Sequence, residues 1–569
     1  MGVRTSSRRG SAGLCLLGAL LVGAATAGSA AIDHPQRRAM ERAFPAEGWT
    51  AVASEGARAA LAVEPGPDGG ALRIDYDLGG GAGWVIARKA DDLTLPPHYL
   101  FSFRLRGAGA AEELQLKLVD PAGANVWWWK RRAAPFPTRR ETIRVRKPRF
   151  AFAWGPGGGE PRRIGFLEIA VAAGEGGAGT LWIEGLRLEE REPPARQPVR
   201  PAVRASSSAP GTAAEEVLAF DAERSWRQAP EDPQPWLLLD FGRPREYGGV
   251  VIDWDPLDYG VAYRVATSDD GEAWDVVYEA QAAEGGRDWI YLPDHESRYV
   301  RLEMLRASRG HDFGVIYFGV VPTELSASPN RFLAAVARDA PRGWFPRYLL
   351  DEAAPWAVVG ADGDDAEGLL GADGALEVGR EAFSIEPFLL VDDRLVSWAQ
   401  ARATPALLDG DLPIPLVTWQ ADGVVLEVTA FASGAPGASS LVARYRVGNT
   451  SEASRAVKLF LALRPFQVSP PWQDLGMRGG VAPIHRIVWD GTAAVVSGAA
   501  AAADGARRVH PLVAPEGFGA SRSEEGPTPR FFAEGRSRVA GRRARQTPSD
   551  WWAAPSPGPS CSGRGSTRR

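Results

Sequence analysis

Two short stretches carry residue types that do chemistry. In "VATSDDGEAWDVVY" (265–278), Asp269, Asp270 and Glu272 crowd three carboxylates around Gly271, a composition that suits a hard cation or a carboxylate-based catalyst. In "KLVDPAGANVWWWKRR" (117–132), Trp127, Trp128 and Trp129 stand in a row and offer flat apolar ring faces to a ligand. The acidic stretch reads as a turn. "YRVAT" before it and "WDVVY" after it alternate like strands, and Asp270-Gly271 is a hairpin signal because Gly supplies positive φ without steric cost. A calcium loop spreads its oxygen ligands over about 12 positions. The tryptophan stretch reads as a strand, with Trp127 and Trp129 on one face and Trp128 on the other. Three such residues are costly to bury together in a two-layer sandwich, so at least one face presents indole. Trp127 and Trp129 are the candidate ligand-binding pair; the alternative makes them core and places Trp128 under a loop.

Other chemistry is sparse. The chain contains no G-x-S-x-G elbow, P-loop or H-E-x-x-H, and its 70 acidic residues single out no catalytic pair, so no catalytic residue is assigned. The two cysteines are Cys15 and Cys561; neither an intramolecular disulfide of the mature protein nor a Cys/His zinc site follows. No cofactor is expected. Calcium in "GADGDDAEG" (360–368) is the alternative to a solvated loop there. A net charge of −5 over 569 residues does not suggest a nucleic-acid partner. Arg144 and Arg146 alternate with Ile143 and Val145 and line the outward face of one strand. A solvated face is the plain reading, and an acidic polysaccharide is the alternative partner.

The elements that must position these residues are short alternating runs between Gly, Pro, Asp and Asn, which predicts an all-β chain of serial β-sandwich domains. A basic start, the apolar "LCLLGALLVGAATA" and small residues up to Ala31 read as a signal peptide over 1–31. Export to the periplasm or the extracellular space follows, with no membrane span. A first sandwich is expected over 45–190, a Pro/Ala/Ser linker over 191–214, a second β unit over 215–326 and a helical connector over 327–344. In the connector, Ser328 is the N-cap, Pro329 opens the helix and Pro341 stops it. A large third β unit spans 345–520 with no evident capping element after it. A basic tail over 534–569 reads as disordered or as the product of a frame shift.

The second unit carries a resemblance. "WLLLDFG" (236–242), "YRVATSDDGEAW" (263–274) and "SRYVRLEM" (297–304), preceded by "FDAERSW" with Asp221 and Trp226, resemble the discoidin family, also called the coagulation factor 5/8 type C domain. The resemblance implies a jelly-roll sandwich with ligand loops at one end, and binding of glycans or, in some branches, phospholipids or proteins. Its loop candidates here are Trp226, Arg227, Tyr259, Arg287 and His311. The first unit, ending in "GTLWIEGLRLEE", is similar to carbohydrate-binding modules of cellulases. The third is similar to the β-sandwich that precedes the helical barrel of some glycoside hydrolases. The reading that results is an exported, non-catalytic protein that binds polysaccharide or glycan. The alternatives are a truncated glycoside hydrolase without its catalytic barrel, and an adhesion module for protein or lipid surfaces.

Overall fold

The computed structural model describes residues 40–535 apart from 67–69, 110–112, 133–135, 174–175, 192–199, 381, 474–478, 499–505 and 523–524. The expected signal segment and nearly all of the expected tail lie outside the described residues.

The chain is built almost wholly of antiparallel sheets, as alternation predicts. The first sandwich contains β1 (Glu41–Ala43), β2 (Thr50–Ala53), β3 (Arg58–Glu64), β4 (Ala71–Asp77), β5 (Gly83–Thr94), β6 (Tyr99–Gly109), β7 (Glu113–Val119), β8 (Val126–Arg132), β9 (Glu141–Arg146), β10 (Ala151–Trp154), β11 (Arg163–Ala173) and β12 (Ala178–Glu190). Its back sheet runs β3-β4-β12-β6-β9, with β1 on β12, and its front sheet runs β10-β8-β7-β11-β5-β2. Leu114, Leu116 and Leu118 of β7 point inward. They meet Phe101, Phe103, Leu105, Leu181 and Ile183 of the back sheet in one apolar core.

The second sandwich contains β13 (Ala202–Ala205), β14 (Trp226–Arg227), β15 (Trp236–Trp254), β16 (Gly260–Ser268), β17 (Asp275–Ala280), β18 (Arg287–Ala307) and β19 (Gly314–Val321), in the order β14-β19-β15-β18-β16-β17 with β13 on β15. The long strands β15 and β18 shift register between Asp240 and Arg245 and between Tyr247 and Gly249; such irregularities bend a strand so that it can serve both layers. One boundary differs from expectation. Residues 202–213 were expected in the linker, but Val203 is buried opposite Leu239. Ser206 and Ser207 both bond Asp232. A segment poor in large apolar residues still joins a sheet when β15 offers it a free edge. The acidic turn is as read: Asp270 accepts the backbone N–H groups of Glu272 (2.8 Å) and Ala273 (2.9 Å), and Gly271 sits at φ 81°.

The helix α1 (Pro329–Asp339) begins where Ser328 caps it, its hydroxyl accepting from Arg331 N at 3.2 Å. The third unit packs further antiparallel sheets around Leu389, Val417, Trp419, Leu426 and Val428. It does have a cap. The short helix α2 (Pro529–Ala533) lays Phe532 on the outer face of one sheet, stacked on Phe460 at 4.4 Å and tilted against Phe388 at 5.4 Å.

A buried ionic seam joins the first two sandwiches. Arg146, 2% exposed, pairs with Glu246 and lies 3.7 Å from Glu296. Arg191 pairs with the same two carboxylates. Arg149 donates to the carbonyls of Ser326 (3.0 Å) and Ala327 (2.8 Å). Arg146 therefore does not face solvent, because the second sandwich covers that end of β9. Arg144, two residues earlier, is exposed.

Candidate functional site

The front sheet of the first sandwich settles the tryptophan question through its register. Trp129 lies opposite Leu116 and Trp127 opposite Leu118. Cross-strand partners share a face, so the inward leucines of β7 draw both tryptophans into the core, where they are 8% and 6% exposed. Trp127 Nε1 donates to Gly159 O at 2.7 Å. The expected ligand pair is thus structural, and the outward member of the triplet is Trp128.

Trp128 stands in a row that crosses the sheet: Ala151, Trp128, Lys117, Glu168, Arg88 and Thr50 are successive partners. Beside it, Trp154 of β10 is 47% exposed, its ring edge-on to Trp128 at 5.3 Å. Lys130 Nζ sits 3.4 Å from the Trp128 ring centroid and 3.7 Å from Glu113. Arg88 pairs with Glu168 at 2.6 Å. Lys117 points outward yet is only 8% exposed. Among the described residues it makes no hydrogen bond and no ion pair within 4.0 Å; Trp154 is its aromatic neighbour, 5.5 Å from Nζ to centroid. Burial lowers its ammonium below the ordinary lysine value, against the raising influence of Glu168 and Glu113. Trp84 and the half-buried Phe166 extend the aromatic surface along the same face. Trp154 and Lys117 were missed as candidates. The signal for Lys117 was present in the Leu-x-Leu-x-Leu alternation of β7, which fixes its face.

The second sandwich gathers the loop candidates at one end. Arg227 donates to Asp258 at 2.5 Å and Asp255 at 2.7 Å, and Arg309 to Asp258 at 2.7 Å. Burial favours the neutral form of Asp258, but the hydrogen bonds from Arg227 and Arg309 outweigh it and hold the carboxyl below its usual range. Gln228 ties this loop to the next by donating to His311 O at 2.6 Å and accepting from Phe313 N at 2.9 Å. The His311 side chain is exposed. Tyr259 is half-buried against the core. A side chain at Gly285 would clash with its ring, an added Cβ lying 2.6 Å from it. Arg287 is held by Asp253 (2.6 and 2.8 Å) and by Asp339 of α1 (2.6 Å). These bonds, the one with Asp253 foremost, raise its pKa. Phe220, 59% exposed, lies 5.4 Å from the Arg287 guanidinium, and Leu257 is 61% exposed; neither had been singled out. Trp226 is a correction. It is fully buried, its indole N–H shared between Ser207 O and Ser208 Oγ, so no ligand reaches it.

In the third unit the buried carboxylates are engaged. Glu386 pairs with Arg464 at 2.7 Å, and Glu377 accepts from Val468 N at 2.8 Å. The cavity among Tyr348, Asp373, Glu386, Trp398 and Trp419 measures about 20 Å³, room for a single water. Among the described residues no cluster of three metal-ligating side chains occurs, and no helix is long and apolar enough to cross a membrane.

The family comparison falls on the second sandwich. Residues 202–317 match the F5/8 type C domain family and form such a discoidin domain. No curated protein matches the chain. Among solved structures, a chitosan-binding module in complex with chitotriose, from a chitosanase/glucanase of Paenibacillus sp. IK-5, is 20% identical. The match covers 22% of this chain and 97% of that one, with a TM-score of 0.20. The family 11 carbohydrate-binding module of Clostridium thermocellum Lic26A-Cel5E is 14% identical, covering 27% and 95%, with a TM-score of 0.22. The family 32 module of Clostridium perfringens NanJ, in complex with galactose, is 12% identical, covering 21% and 91%, with a TM-score of 0.20.

Proposed function

We propose that this protein is an exported glycan-binding protein whose β-sandwiches hold polysaccharide without cleaving it. The observation that carries the reading is the Trp154–Trp128 corner of the first sandwich. An indole nearly half exposed, braced edge-on by a second, is a rigid apolar platform of the kind a pyranose ring stacks on. Around it, Lys130, Gln115 and Lys117 bring polar groups to the same face. The loop end of the F5/8 type C domain is the second site, with His311, Arg227, Tyr259 and Arg287 among its polar groups and Phe220 and Leu257 as its exposed apolar ones.

Affinity electrophoresis of the purified chain against a panel of soluble polysaccharides tests this. At least one polymer should retard the protein, and Trp154→Ala should weaken that binding about tenfold or more, the loss expected of a central aromatic anchor. Retardation by none of the polymers would refute the reading, and so would release of reducing sugar in the same mixtures.

A further inference from the structure

The charges on the front face of the first sandwich do not cancel. Its described side chains pair Arg88 with Glu168 and Lys130 with Glu113, which uses both carboxylates. Lys117 is left over. A nearly buried ammonium without a hydrogen-bonding partner is costly, and strands rich in alternating residues could carry Leu, Thr or Gln at that position at no such cost. The cation also sits where a guest would lie, two strands in from the exposed Trp154 ring and directly opposite Trp128.

We propose that this face binds an acidic saccharide, with Trp154 stacking on the sugar ring and Lys117 pairing with a carboxylate or sulfate that the ring carries. The inference rests on the glycan-binding reading above and sharpens it from any sugar to an anionic one. A charge-assisted bond to an anion in a site largely shielded from water is stronger than a neutral one. The guest's anion would supply the close partner that Glu168 and Glu113, paired with Arg88 and Lys130, do not provide within 4.0 Å. Trp128 and Lys130, already stacked together, form the wall beside it.

The test compares one polymer with and without its charge. Polygalacturonate and its carboxyl-reduced form provide the carboxylate arm; dextran sulfate and dextran provide the sulfate arm. Titration calorimetry on the whole chain should show one anionic form binding about tenfold more tightly than its neutral counterpart, and which arm shows it identifies the anion. Lys117→Met should abolish that preference, and Lys117→Arg should keep it. Unfolding midpoints measured alongside confirm that both variants fold. Equal affinity for charged and neutral polymers in both arms would overturn the inference but not the glycan reading, provided Trp154→Ala still weakens both. A preference that survives Lys117→Met would also overturn it, by placing the anion elsewhere. Failure of every polymer to respond to Trp154→Ala would remove the platform itself.

Discussion

The front face of the first sandwich and the loop end of the F5/8 type C domain use similar residues to opposite ends. On the front face, tryptophan rings are open and, among the described side chains, Lys117 is unmatched. At the loop end, arginines outnumber nothing: Arg227 and Arg309 share Asp258, Arg227 also holds Asp255, and Arg287 is clamped by Asp253 and Asp339. There the exposed apolar groups are Phe220 and Leu257, beside the exposed His311. Residue type alone therefore says little about availability. Whether a charge or a ring can serve a ligand depends on whether the fold has already used it.

The contrast can be broken most severely at Trp226. Trp226→Ala empties a fully buried site and strands the serine groups that hold its N–H, and should cost about 3–5 kcal/mol. Chemical denaturation would detect it, and a loss below about 1 kcal/mol would return Trp226 to the list of surface residues. Asp258→Asn should have the next effect, about 2 kcal/mol, because two guanidinium groups lose a charged acceptor. The sign with pH follows from its lowered folded-state value. The contribution is complete above the ordinary aspartate range and fades as pH falls through the folded value. Denaturation midpoints of the variant should thus converge on those of the wild type in acid; a constant gap would deny the linkage. Trp154→Ala should come last, changing stability by no more than about 0.5 kcal/mol as an exposed substitution. A larger loss would mean that the ring is core rather than platform.

The all-β class, the F5/8 type C motifs and the capped helix at Ser328-Pro329 were legible because each is written in local residue order. Which tryptophans face outward was not. A run of three identical residues has no internal parity, so its face is set by the neighbouring strand. Only the pairing of Leu116 with Trp129 decides it. The loop arginines were legible only in part: the motif placed Arg227 and Arg287 at the right end, yet their aspartate partners come from 28 and 34 residues away. Asp339, which also holds Arg287, comes from the connector helix beyond the domain altogether. The buried position of Arg146 had the same cause, since a strand's outward face is outward only until another domain lies on it.

That last feature bears on how the molecule can be taken apart. Arg146 and Arg191 belong to the first sandwich, while Glu246 and Glu296 belong to the second. A cut in the Pro/Ala/Ser stretch between them, which the amino-acid composition recommends, would leave two positive charges on one fragment and two negative charges on the other. The first fragment would expose a half-socket of two arginines with Glu189 beside Arg191, and the second a half-socket of two carboxylates. Isolated halves would then attract each other, or oppositely charged bystanders, through a surface that the intact chain never shows.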